Sequence, residues 1–181
     1  MLKSIAEEIT VALASNDIIK TDEMEAYTYG LELLIPKVIL YAAILVVSLI
    51  TDTFFSSVTF VVLLMGLRRY TGGFHCKTAE TCLLFSFLIY LLALLGYEFV
   101  QYIPNIVCGI SSLVSAVIVL IFAPVEDANR PLEESEKVQY RQKAMIALSI
   151  ILSLEMIALF FRFDTISYLS SCSLTVNAVL I

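Results

Sequence analysis

Residues 31–50 read LELLIPKVILYAAILVVSLI, a run interrupted only by the charged side chains of Glu32 and Lys37. At about 1.5 Å of rise per residue, a helix of this length spans about 30 Å, the thickness of a bilayer's hydrocarbon core. Five further stretches share the character, at roughly 54–67, 81–99, 103–125, 144–162 and 165–181. Lipid offers backbone amides no partner, so each such run must satisfy its own hydrogen bonds as a helix. The expectation is an all-α polytopic membrane protein of four to six spans, with about six transmembrane helices preferred.

Composition points the same way. The chain has 181 residues, of which 60% are hydrophobic and 15% charged, against about 45–50% and about 25% in soluble domains. A water-soluble fold this small could not hide so much apolar surface. A disordered tail, a nucleic-acid binder, a disulfide miniprotein and a soluble Rossmann or barrel enzyme are set aside, and the formal charge of −6 agrees. The four cysteines, Cys76, Cys82, Cys108 and Cys172, form no C-x-x-C pair, which removes the zinc ribbon and the thioredoxin-like motif. Residues 1–181 are expected to form a single integral membrane domain.

Short polar breaks separate the runs. Thr51-Asp52-Thr53 divides the first two, 101–105 with Pro104 the third and fourth, and Arg162-Phe163-Asp164 the last two. Arg68, Arg69 and Lys77 follow the second run, Arg130, Lys137, Arg141 and Lys143 follow the fourth, and Lys3 and Lys20 precede the first. With six spans these basic residues fall on one side, against Arg162 on the other, so both termini and both long loops are expected in the cytoplasm. The start, MLKSIAEEITVALASND, places acids where a secretory signal carries its apolar region, and no cleaved signal is expected. Within the amphipathic region 1–30, Ser4-x-x-Glu7 reads as a capping box. Ile5, Ile9, Ala12 and Leu13 then recur at helical spacing opposite Glu7, Glu8 and Thr10. Such a helix lies on the membrane surface or packs on the cytoplasmic loops. Residues 126–143 read as a charged, solvated loop with scope for a helix in the second half; it is a connector or a docking surface for a charged partner.

Residues 68–82 do not fit the role of a connector. They run Arg68-Arg69-Tyr70-Thr71-Gly72-Gly73-Phe74-His75-Cys76-Lys77-Thr78-Ala79-Glu80-Thr81-Cys82 and contain the only histidine of the chain. A free thiol with pKa about 8.5 is mostly protonated at neutral pH, so a nucleophilic cysteine needs a base or a positive potential beside it. On an unbroken helix His75 and Cys82 would stand about 10 Å apart along the axis, too far for a hydrogen bond. His75 must then lie in a turn that folds back, with Gly72-Gly73 giving the backbone its freedom. Thr78 is the expected N-cap of the next helix, which places Cys82 near a helix start, where the dipole favours a thiolate. Arg68, Arg69 and Lys77 raise the positive potential and can hold a substrate carboxylate, arginine in bidentate fashion. They also serve as positive anchors at the inner membrane face. Freed backbone N–H groups at the glycines could form an oxyanion hole, or the pair is an ordinary turn.

Other readings of these atoms stay open. His75, Cys76 and Cys82 match no familiar zinc spacing, so no metal or cofactor is expected. Cys76 is the weaker nucleophile because neighbouring side chains diverge. A lone interfacial histidine also suits a structural role, in a non-enzymatic transporter or receptor for a small peptide. Glu155, inside the fifth run, and Glu98, at the end of the third, must face protein or water. Each is a third catalytic member or part of a proton pathway; otherwise Glu155 is a partner in helix packing and Glu98 a snorkelled interfacial residue. Cys108 and Cys172 read as small packing residues.

Through Arg68-Arg69-x-x-Gly72-Gly73-x-His75-x6-Cys82 the chain resembles the AgrB (accessory gene regulator B) family, membrane cysteine endopeptidases of bacterial peptide quorum sensing. The layout is similar too: an amphipathic start, about six spans, and Ala123-Pro124-Val125 opening a charged loop with Pro131. The resemblance implies that Cys82 attacks a carbonyl near the C-terminus of a small propeptide, with His75 as base. The tail leaves, a thioester remains, and a Cys or Ser of the propeptide closes a thiolactone or lactone ring. It implies a bacterial cell membrane location, multi-pass, with the catalytic loop cytoplasmic. The partners it implies are the lipid bilayer and a propeptide with an amphipathic helix and an acidic tail. Family habit and the small scaffold add the expectation of a homodimer.

Overall fold

A computed structural model describes every residue except Met1, His75, Lys77 and 127–132. The described residues form α1 (Leu2–Ser15), α2 (Met24–Ile50), α3 (Phe54–Thr71), α4 (Ala79–Glu98), α5 (Asn105–Phe122), α6 (Glu134–Phe161) and α7 (Asp164–Val179), with single 3-10 turns at Thr21–Glu23 and Val100–Tyr102. Among the described residues there is no strand beyond one isolated bridge between Gly72 and Val125. The all-α, membrane-type architecture holds, and each of the six apolar runs is a helix.

Four segments are long and apolar enough to cross a membrane: Thr21–Ile50, Ala79–Glu98, Asn105–Phe122 and Glu134–Phe161. Four helices, not six, therefore carry that signature among the described residues. The apolar part of α3 is cut short by Arg68 and Arg69 in its last turn. Helix α7 has only 16 residues and is rich in Ser and Thr. Helix α6 begins at Glu134, so the second half of the charged loop is helical, with Glu133 and Glu136 closing a capping box there.

The chain divides into two compact units, Met1–Thr51 with Cys76–Tyr90, and Asp52–His75 with Leu91–Ile181. In the first, α1 packs on α2. Its buried face is Leu2, Ala6 and Thr10, and the Thr28 hydroxyl donates to the Thr10 hydroxyl at 3.1 Å. This corrects the expected polarity of the helix: Thr10 faces inward, while Ile5 and Ile9 are exposed. Small side chains at positions 6 and 10 let the two backbones approach closely, which branched Ile would prevent. The expected capping box is corrected as well, because Ser4 lies within the helix rather than ahead of it.

In the second unit α7 packs against α3, α5 and α6. That placement accounts for its composition. Ser167, Ser170, Ser171, Ser173 and Asn177 are all buried, where small polar residues permit close helix packing and bond across it. The Asn177 amide donates to the Leu64 carbonyl of α3 at 3.2 Å, the Ser171 hydroxyl to the Cys108 carbonyl of α5 at 3.1 Å, and the Ser167 hydroxyl to Glu155 of α6 at 3.1 Å. Glu155, 2% exposed, thus joins the packing through a hydroxyl. An apolar cluster of Leu67, Ala116, Val119, Ala123, Leu148, Ile151, Leu174 and Ala178 fills the space between these helices.

Candidate active site

The residues singled out at 68–82 divide between the two units, and each half is described by itself. Arg68 and Arg69 lie in the last turn of α3, which runs on to Thr71. The expected loop beginning at Arg68 is therefore shorter. Cations at a helix C-terminus oppose the negative end of the backbone dipole, so the two arginines extend this helix rather than end it. Arg68 reaches away from its own helix: Nη1 donates to the Leu180 carbonyl at 3.0 Å, and Nη2 to the Phe74 carbonyl at 2.6 Å. Arg69 is exposed.

Helix α3 stops at the glycine pair. Gly72, its C-cap, has φ 68° and ψ −147°, and Gly73 has φ 104°; both are conformations that a side chain disfavours. Space imposes the same requirement. A Cβ at Gly72 would collide with the Val125 carbonyl, and one at Gly73 with the Leu180 carbonyl. The Val125 N–H donates to the Thr71 carbonyl at 2.8 Å, and the Phe74 N–H to the Leu180 carbonyl at 2.7 Å. Three chain segments distant in sequence thus converge at the glycine pair: 71–74, 123–125 and 180–181.

A second arginine does a similar service nearby. Arg141 of α6 donates from Nη1 to the Ala123 carbonyl and from Nη2 to the Leu120 carbonyl, both at 3.2 Å. These carbonyls end α5 and have no partner within it. Tyr70 and Tyr140 meet edge to face at 6.3 Å, with the Lys143 ammonium 6.0 Å from the Tyr70 ring.

In the other unit, Thr78 caps α4 as its residue type predicts. Its hydroxyl accepts from the Thr81 N–H at 3.2 Å, and its carbonyl from the Cys82 N–H at 3.1 Å. Cys82 is the fourth residue of α4, half-buried and free. Its sulfur thus belongs to the end of the helix where the backbone N–H dipoles present positive charge. Cys76 is also half-buried and free. Beside them the Leu2 N–H donates to Glu80 Oε1 at 3.3 Å, tying the start of α1 to the start of α4. His75 and Lys77 lie outside the described residues.

Arg68, Gly72 and Gly73 are therefore brought together, and Cys82 is set at a capped helix start as expected. Val125, Arg141 and Leu180 were not anticipated. The glycine doublet signalled a tight backbone approach, yet nothing in the sequence names the carbonyls that make it.

Comparison with known proteins bears on the whole chain. The family profile of accessory gene regulator B matches residues 6–181. An AgrB-like protein of Listeria monocytogenes serotype 4a (strain HCC23) is 28% identical over 171 residues, covering 92% of this chain and 83% of the relative. One from Listeria innocua serovar 6a is 28% identical with the same coverage. AgrB-like protein 2 of Clostridium perfringens (strain 13 / Type A) is 23% identical over 176 residues, 91% of this chain and 80% of the relative. No solved structure matches. With its helices, its capped Cys82 and its glycine turn set in a chain that matches the profile almost end to end, the protein belongs to the AgrB family, which is known for processing quorum-sensing propeptides.

Proposed function

We propose that the chain is a membrane cysteine endopeptidase that removes the C-terminal tail of a small propeptide through a Cys82 thioester and so allows a thiolactone or lactone ring to close. The observation that carries this reading is the position of Cys82 in the first turns of a helix capped by Thr78, seven residues after the only histidine, in a chain of this family. His75 takes the thiol proton, and the thiolate attacks the carbonyl ahead of the tail. The tetrahedral oxyanion collapses as His75 returns the proton to the departing amine, leaving a thioester on Cys82. A Cys or Ser of the bound peptide then displaces the enzyme sulfur, and no water is consumed. Keeping the acyl group as a thioester preserves its reactivity for that second attack, and a site at the membrane edge restricts hydrolysis.

Arg69 and Lys77 supply positive charge for the acidic tail of the substrate. Counted over six crossings, with α3 and α7 included, the positions of the basic residues favour cytoplasmic termini and a cytoplasmic catalytic loop. Co-expression with the propeptide tests the reading: Cys82→Ala and His75→Ala should each accumulate in the membrane and abolish the shift from propeptide to processed peptide on a gel. Wild-type processing by either variant would overturn it.

A further inference from the structure

The carbonyl of Leu180 lies just beyond α7, among the last carbonyls of a helix, which have no partner within it. It receives two donors from elsewhere in the chain, the Arg68 guanidinium at 3.0 Å and the Phe74 N–H at 2.7 Å. The second arm of Arg68 holds the Phe74 carbonyl at 2.6 Å. Phe74 is thus bound through both its N–H and its C=O, and it immediately precedes His75 in the chain. The two glycines before it have the most conformational freedom of any residue type, so these bonds help to fix the direction in which the chain leaves α3. Close approach of Gly73 to the same Leu180 carbonyl, with no room for a Cβ, completes the seat.

We propose that Arg68 is a positioning residue that acts with the Leu180 carbonyl, and that the end of α7 is a working part of the catalytic loop: it pins Phe74 and thereby sets the path of the chain into His75. Arg68 acts through the loop and not on the substrate, because its fork is directed at two backbone carbonyls of its own chain. The proposal rests on the peptidase reading for its link to turnover, but the pinning of Phe74 is measurable without any substrate.

Hydrogen–deuterium exchange on the purified full chain in detergent tests it, with fragment masses resolved at Phe74. Arg68→Ala, and separately a chain ended at Val179, should each speed exchange of the Phe74 amide about tenfold or more, while protection within α5 stays as in the wild type. Combining the two changes should add little, since both remove one strut. In propeptide processing each should lower kcat with KM unchanged, and the combined loss should fall well short of the product of the two. Arg68→Lys, which keeps a single donor, should lie between wild type and Arg68→Ala in both measurements. Unchanged Phe74 exchange in the chain ended at Val179 would overturn the proposal, and so would a raised KM in Arg68→Ala multiplying with the truncation. Should Arg68→Ala fail to accumulate, the truncation alone decides the matter. If the wild-type chain processes nothing while Phe74 still loses protection in the variants, the peptidase reading fails and the strut stands.

Discussion

Replacing Gly72 by Ala tests how tightly the turn after α3 is specified. At φ 68° and ψ −147° a residue with a side chain is strained by about 1–3 kcal/mol. Its Cβ would also collide with the Val125 carbonyl. Relieving that collision means separating 71–72 from 125 and losing the Val125 N–H to Thr71 carbonyl bond, worth about 1 kcal/mol net. The two together shift the balance between closed and open turn by roughly 2–4 kcal/mol, or about 30- to 900-fold. Part of that shift is absorbed by the stability of the closed turn, so propeptide processing should fall by about tenfold or more. The assay is co-expression with the propeptide, with processed peptide measured against the amount of protein in the membrane. Gly66→Ala is the control: it lies on the same helix, its Cβ meets nothing within 4 Å, and Ala favours the helix. Gly66→Ala should process like the wild type. Processing by Gly72→Ala within twofold of wild type, at equal membrane levels, would refute the reasoning.

Other substitutions test the surrounding contacts. Thr78→Val removes the hydroxyl that caps α4, should destabilise the helix start by about 1 kcal/mol, and should raise amide exchange over 79–83 and slow processing, whereas Thr78→Ser should retain both. Asn177→Ala breaks the side-chain bonds to the Leu64 and Ser173 carbonyls and should lower the thermal midpoint in detergent by an amount equivalent to about 1 kcal/mol; an unchanged midpoint would mean that the α3–α7 contact does not need them. Arg141→Ala leaves the carbonyls of Leu120 and Ala123 without this donor and should cost about 1 kcal/mol by the same measurement, with partial recovery in Arg141→Lys.

The helices could be read directly from the sequence because each apolar run is bounded by residues that cannot continue it in lipid, such as Asp52 with φ 53° between α2 and α3, or Arg162 with φ 57° after α6. The role of Thr78 was legible too, since capping is a local preference of that residue type. The end of α3 was not. Arg68 and Arg69 read as loop because they are charged, but they continue the helix, and the carbonyls that Arg68 holds belong to Phe74 and to Leu180, the latter 112 residues away. The same limit applied to α7. Its hydroxyls at 167, 170, 171 and 173 offered interhelical hydrogen bonds by residue type, but that the helix packs on three others was not legible. Ser4 and Thr10 were misassigned for a related reason: periodicity shows that a helix has two faces, but the size of the neighbouring side chains decides which face packs. His75 and Cys82 stood out by residue type and spacing, with structural and metal readings left open beside the catalytic one.

The central claim is that Cys82 carries the peptide as a thioester. Intact-protein mass spectrometry of the purified chain, incubated with a propeptide whose ring-closing Cys or Ser has been changed to Ala, measures this most directly. The chain should gain the mass of the tail-less peptide less one water, the adduct should map to Cys82 and be released by hydroxylamine, and Cys82→Ala should gain nothing. Release of the tail with no adduct on wild-type chain, or the same adduct on Cys82→Ala, would contradict it.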